Sequence, residues 1–456
     1  MNKFIETLKN IWSIKELRDK ILFTLLILAV YRIGSFVVLP GVNAAALEQA
    51  AANRGTNDLL GLINNFTGGA FNQGSIFALG VMPYITASII LQLLGFAVPY
   101  FQKLQMHEGE SGRKKINQYT RLMTVLISIV QGGTYLTFLN TTAGAIDPNV
   151  SPSIFFLGNS IILATGTLFA MWLGERITDK GIGNGVSLII MIGIIATLPR
   201  SFVGEFTKQL SSAGPLILVI EMAALFFVIL AAILIVQGVR KIPIQFAKKM
   251  VGRSTDELPS QGARDYIPLK VNASGVMPII FAQAIMFLPL TIAQMAMANS
   301  GTQSNFLISL NNWKSIPYNL IFFTLVVLFT YVYTALIVNP KQYATYLKNQ
   351  NSFIPGVKPG DDTEEYIDSL TTRITFPGSI FLGLIAILPA IVAAVGVSDA
   401  FAIFFGGTSL LILVGVALDT LAQIESYLLM RKYDGLVKSG KIKGRNSGGI
   451  QIGAGY

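Results

Sequence analysis

Ten apolar runs divide this chain, at about residues 21–39, 75–98, 122–139, 153–174, 186–200, 214–237, 274–297, 317–338, 375–395 and 401–424. Each is near the roughly 20 residues a helix needs to cross the hydrocarbon core of a bilayer, the fifth being the shortest. At that depth a backbone N–H or C=O has no water to bond, so an open chain crosses as helix. The expected fold class is therefore an all-α polytopic membrane protein with ten transmembrane helices. Composition agrees, with 52% hydrophobic and 13% charged residues, where a soluble domain carries about 25% charge.

Lys and Arg set the expected orientation. Of the 34 basic residues, 29 fall in segments 1–20, 101–121, 175–185, 238–270, 339–374 and 425–456. The alternate segments hold only Arg54, Arg200, Lys208 and Lys314, and Arg32 lies inside the first run. Basic residues stay on the cytosolic side of short loops, so both termini are expected in the cytosol. Residues 1–20 show no cleavage site and read as a retained cytosolic segment. Within it Phe4, Leu8, Ile11, Trp12 and Ile14 oppose Lys3, Lys9, Lys15 and Arg18, the pattern of an interfacial amphipathic helix. The tail 425–456 is basic and expected in the cytosol, and from Arg431 onward it is Gly-rich and expected to be disordered.

Gly80-Val-Met-Pro83 in the second run recurs as Gly275-Val-Met-Pro278 at the start of the seventh. The orientation sends these two runs through the membrane in opposite directions. Two Pro-interrupted segments at matching places predict an inverted repeat of two five-helix halves, 21–200 and 201–424, with a path or site between them. Between runs one and two, Leu59, Leu62, Ile63 and Phe66 sit at helical spacing before Gly68-Gly69, in a stretch too short to span. It reads either as an external loop helix capped by Asp58 or as a short re-entrant helix stopping the path. Two long cytosolic loops, 238–270 and 339–374, stand out. The first has the β-branched, basic pattern of a projecting hairpin, and the second carries the turn-rich Phe353–Gly360. They either orient the chain and touch anionic lipid, or dock a partner.

Catalytic signatures are missing. There is no Cys, and the one His, His107, lies in a hydrophilic segment without a second ligand. Gly435–Ile442 comes near a phosphate loop, but Ile442 stands where Ser or Thr must reach Mg²⁺. Gly181-Ile-Gly-Asn-Gly185 sits in a short turn and resembles a dinucleotide loop only superficially. No enzyme and no cofactor are expected. Intramembrane charge is confined to Arg32, Glu221, Asp419 and Glu425, toward span ends. A secondary transporter, the alternative that shares an inverted repeat, would be expected to place charge at mid-membrane. Aliphatic residues beside the two prolines instead suit an apolar constriction.

Over essentially its whole length the chain resembles the SecY family, the channel subunits of bacterial protein translocation. The resemblance rests on Tyr31-Arg-Ile-Gly-Ser-Phe36, Gly74–Leu94, Glu108–Lys114, Trp172–Thr178 with Gly181–Gly185, Val271-Asn272 running into Gly275–Pro278, and Phe405–Leu411. It implies a passive channel with a central hourglass pore that passes unfolded secretory chains across the cytoplasmic membrane. The same channel releases membrane segments sideways through a lateral gate. The family's pore ring falls on Val81, Ile85, Val186, Ile190, Ile280 and Ile412. Its plug falls on about 59–71, with Leu59, Leu60, Leu62, Ile63, Asn64, Asn65, Phe66, Gly68 and Gly69. Thr86, Gln131 and Asn272 match the polar contacts of the gate. Implied partners are SecE-like and SecG-like small subunits, the SecA motor ATPase, the ribosome, signal peptides and nascent chains, and membrane lipid. Arg240, Lys241, Lys248, Lys249 and Lys358 fall on the ribosome- and motor-docking loops. Lys358 stands where the family pattern most often has Arg, so the charge is kept and the planar fork lost.

Overall fold

The computed structural model describes residues 11–53, 60–106, 109–212, 215–246, 264–286, 309 and 312–438. Residues 1–10, Leu59, His107, Lys248, Lys249, the end of the seventh run and the last part of the tail lie outside the described residues. The chain opens with α1 (Lys15–Gly34), α2 (Ala44–Asn53) and the short α3 (Leu60–Phe66). Then come α4 (Met82–Ala97), α5 (Pro99–Met106), α6 (Gly109–Thr141), α7 (Pro152–Lys180), α8 (Gly185–Ser212) and α9 (Pro215–Gln237). Strands β1 (Val239–Phe246) and β2 (Arg264–Lys270) precede α10 (Met277–Met286). The remainder is α11 (Ile316–Ile337), α12 (Pro340–Asn349), β3 (Ser352–Phe353), α13 (Asp361–Val395), α14 (Asp399–Ala402) and α15 (Gly407–Lys438).

The protein is a helical, polytopic membrane protein. Among the described residues seven helices are long and apolar enough to cross a membrane, and α4 and α10 are shorter apolar helices at two further expected places. Helix α1 occupies the first run but begins among the charges of Lys15–Lys20, six residues before that run. The first two runs are not helical throughout. Residues 35–39 and 75–81 leave the helix and satisfy each other: Leu39 N–H donates to Gly74 O (2.8 Å) and Ile76 N–H to Val37 O (2.9 Å). Buried backbone needs such partners wherever helix is given up. The fifth run, the shortest in sequence, becomes the 28-residue α8 because the helix runs through Pro199 into a polar extension.

The two GVMP motifs build one local structure twice. Gly80 and Gly275 take φ of +54° and +64°, a left-handed turn that a glycine adopts freely. A helix starts immediately after each, with Pro83 and Pro278 in its first turn, where the missing proline N–H costs nothing. Both α4 and α10 thus begin inside an apolar run, leaving helix ends at depth within the protein.

The main apolar core takes side chains from α1, α4, α7 and α8 of the first half and α10, α11, α13 and α15 of the second. A second cluster packs Leu39, Ile63 and Phe71 against Tyr135, Leu136, Leu139 and Leu163 of α6 and α7. Helix α9 exposes Leu216, Val219, Phe226, Phe227 and Leu234, as a lipid-facing helix must. The Gly181–Gly185 turn clamps the first and last helices: Thr24 accepts from Ile182 N–H and Gln423 from Gly183 N–H. The expected hairpin is present as β1 and β2, paired from Val239 opposite Lys270 to Gln245 opposite Arg264. The second long loop adds β3 to the other side of β1, giving the order β2-β1-β3. Ile242, Ile244, Leu269, Leu347, Ile354 and Ile367 form a small core that makes both loops one body.

Candidate functional site

The six aliphatics expected at the constriction converge. Val81 caps the start of α4, with Ile85 one turn on; Val186 and Ile190 lie in the first turns of α8; Ile280 opens α10; Ile412 sits in α15. Val81, Ile85, Ile190 and Ile412 are buried in one cluster, and Val186 and Ile280 pack against it. Branched aliphatics at a helix start project from a stiff backbone and offer no hydrogen-bonding group to whatever touches them. A cavity of about 250 Å³ opens beside them, with Ile190, Ile280 and Ile412 on its wall. Polar residues, among them Asn184, Lys270, Asn272 and Asp419, share its lining. The cavity is therefore lined in part by apolar residues from both halves of the chain.

The short helix α3 lies against this cluster, with Phe66 inside it. Ile63 belongs instead to the α6–α7 side. The turn after α3 is closed by its own asparagines: Gly69 N–H donates to Asn64 O (2.8 Å), Gly68 N–H to Asn65 O (3.2 Å), and Asn72 N–H to Asn64 Oδ1 (3.0 Å). Gly193 of α8 lets the turn approach closely, since a Cβ there would lie 2.5 Å from Phe66 O. Tyr135 of α6 donates its hydroxyl to Phe71 O (2.7 Å), and Arg32 of α1 donates to Gly68 O (2.6 Å). Leu60 and Leu62 lie on α3 with the rest.

Thr86, Gln131 and Asn272 sit on or beside the helices expected to form a gate, and no hydrogen bond joins them to one another. Thr86 donates to Met82 O on its own helix (3.0 Å), Asn272 accepts from Ser274 (3.2 Å), and Gln131 is half-buried on α6. The polar contact that crosses from α4 to α11 is another one. Tyr333 donates to Gln92 Oε1 (2.8 Å), and Gln92 donates to Ser88 (3.1 Å) one turn back. Phe281 of α10 meets Tyr333 edge-on at 4.9 Å between ring centroids. The i, i+4 pair Ser88/Gln92 on an apolar helix was the available sequence signal, but nothing local pointed to its partner 241 residues away.

Arg240 and Lys241 are exposed on β1, with Lys241 over the Tyr266 ring (5.7 Å), and Lys358 is exposed in the turn after β3. Of the charges near span ends, Glu221 shares Gln209 with Glu205, and Glu205 accepts from Ser398 N–H (2.8 Å). This polar cluster ties α8 and α9 to the loop before α14. Among the described residues no group of three or more His, Cys, Asp or Glu is placed to hold a metal ion.

A family model described as SecY matches residues 75–421. The protein translocase subunit SecY of Streptomyces galbus is 43% identical, over 93% of this chain and 97% of its own. That of Aquifex aeolicus is 40% identical, over 95% and 99%. A solved structure described as that of a protein conducting channel superposes with a TM-score of 0.61 at 16% identity, over 89% of this chain and 91% of its own. A second, described through a SecY plug domain that stabilises the closed state and maintains a membrane seal, gives 0.59 at 19% identity, over 89% and 91%. A third, Sec61 in a canine ribosome-channel complex, gives 0.55 at 15% identity, over 89% and 91%.

Proposed function

This chain belongs to the SecY family, and we propose that it is the channel-forming subunit of a protein translocase, passing unfolded chains across the cytoplasmic membrane and releasing apolar segments into lipid. One observation carries the reading: side chains from both halves, Val81, Ile85, Ile190 and Ile412, close into a single apolar cluster with α3 seated on it. A ring of branched aliphatics seals by excluding water and yields to a moving chain without hydrogen-bonding it. Val186 and Ile280 complete the ring. Residues 59–71 form the plug, and ten spans in two inverted halves place both termini in the cytosol. Energy comes from a partner, the ribosome or the SecA motor ATPase. SecE-like and SecG-like subunits accompany the chain.

The gate lies where α4 and α6 face α10 and α11. Thr86, Gln131 and Asn272 line it, and the Tyr333–Gln92 bond crosses it. Interhelical hydrogen bonds in a membrane are modest, so an incoming signal helix competes with them. The exposed cations Arg240 and Lys241 on β1, with Lys248, Lys249 and Lys358, suit partners rich in phosphate or carboxylate.

Planar-bilayer conductance tests the seal. Deleting residues 60–70 should leave a channel that leaks ions, and changing Ile85, Ile190 and Ile280 together to Ser should widen the leak. If both variants stay as tight as the parent, the path lies elsewhere. Arg240→Glu with Lys241→Glu should weaken ribosome binding, the loss growing as salt falls. Lys358→Glu should impair motor-driven export; unchanged affinity and export would reduce the loops to topology signals.

A further inference from the structure

Arg32 is a costly residue in its place. It lies in the last turn of α1, inside the first apolar run, and a cation there requires a partner. Among the described residues no carboxylate lies within ion-pair distance of it. Its Nη1 instead donates to Gly68 O at 2.6 Å and to Ser35 Oγ at 3.3 Å. Ser35 is fully buried and donates back to Arg32 O (2.6 Å), while the guanidinium stands 4.8 Å from the centre of the Phe36 ring. The arginine is thus held at its base by its own helix end, and its tip reaches into the turn that ends α3. Gly68 N–H is satisfied within the turn by Asn65 O. Among the described residues, the donor that meets the Gly68 carbonyl is Arg32. The backbone of Gly193 lies on the same flank of Gly68, where a Cβ would meet Arg32 Nη1 at 2.7 Å and Gly193 Cα at 2.9 Å. Tyr135 holds the following residues at Phe71 O, and the charged grip on the turn itself comes from Arg32.

We propose that Arg32 is the positioning residue that latches the plug: its charge-assisted hydrogen bond to Gly68 O holds residues 60–70 against the constriction at rest. The inference rests on the sealing role given above to that segment. The choice of acceptor suits a latch that must open. An arginine–carboxylate pair in an apolar setting leaves two charges to be desolvated or exposed when it separates, and breaking it is severe. A neutral carbonyl binds a guanidinium more strongly than it binds a neutral donor, yet leaves no stranded anion when it departs. Because the acceptor is backbone, the latch does not depend on which side chains the plug carries. Ser35 and Phe36 keep the released guanidinium near its resting place, ready for the plug's return.

The test is a double-mutant cycle read by planar-bilayer conductance on the full-length chain with its copurifying subunits. The channels compared are the parent, Arg32→Met, Arg32→Lys, the 60–70 deletion, and Arg32→Met within that deletion. Arg32→Met should raise the resting open fraction about tenfold, the scale expected for losing one charge-assisted hydrogen bond. Arg32→Lys, which keeps the charge and loses the fork, should fall between. On the deletion background Arg32→Met should change nothing, because its partner is gone. If the deletion leaks but Arg32→Met is as closed as the parent, or if it adds the same factor to the deletion, the latch is overturned and the plug reading stands. A deletion that stays tight overturns both. Should Arg32→Met fail to assemble, Arg32→Gln, which keeps a donor without charge, takes its place with the same expectations.

Discussion

Tyr333 shows how much a single hydroxyl does between two membrane helices. Its bond to Gln92 is the polar contact between α4 and α11, in surroundings otherwise made of rings and aliphatics. Tyr333→Phe keeps the ring against Phe281 and removes only that bond. Interhelical bonds of this kind average about 0.6 kcal/mol, so lateral photocrosslinking of a signal helix to lipid-facing positions should rise about threefold. An unchanged yield would assign the closure to apolar packing alone. Gly166 makes the complementary point about space. A Cβ there would collide with the carbonyl oxygen of Ile76, in the non-helical start of the second run. Gly166→Ala should cost about 1–3 kcal/mol, read as a lower thermal midpoint of the purified protein, because backbone cannot move aside as a flexible side chain can. Arg32 and Gly68 were both marked in the sequence, one as a charge near a span end and one in the Gly-Gly pair after the short helical stretch. That they bond each other was not legible, since 36 residues and a change of direction separate them.

At the scale of elements, the hairpin in the first long loop was readable from its β-branched pattern, and the third strand was not. Ser352-Phe353 is two residues long and lies in a stretch whose turn signals dominate. It becomes a strand because Gln245 and Phe246 of β1 offer an unpaired edge beside it. Leu347, 3% exposed, lies in the core where both loops meet. Leu347→Ala should remove about 2–5 kcal/mol from that small body and leave the spans intact. Limited proteolysis should then cut both loops together, and ribosome and motor binding should fall in parallel. Loss of one without the other would mean that the loops act separately. The two helices that follow the GVMP motifs teach a related lesson. Run lengths near 20 residues suggest full spans, yet a left-handed glycine followed by proline starts α4 and α10 late.

For the whole molecule, the sidedness of the basic residues predicts a labelling pattern. The chain lacks Cys, so single cysteines report cleanly. Ala143→Cys, exposed between α6 and α7, should react with an impermeant maleimide from outside the cell. Glu365→Cys, exposed on the first turns of α13, should react only once the inner face is opened. The reverse result would invert the topology. The class of fold, the positions of the membrane runs, the repeated GVMP motif and the family were all determined by the sequence, because each depends on properties local to the chain. Hydrophobic run length answers to bilayer thickness, basic loops to membrane orientation, and a Gly-Pro start to backbone sterics, none of which requires a distant partner. The gathering of Val81, Ile85, Ile190 and Ile412 into one buried cluster that also holds Phe66, the reach of Arg32 to Gly68, and the Tyr333–Gln92 crossing were decided only by tertiary structure. In an apolar chain one isoleucine resembles another until packing brings it to the centre, and a hydrogen bond is specified by where its two ends meet in space.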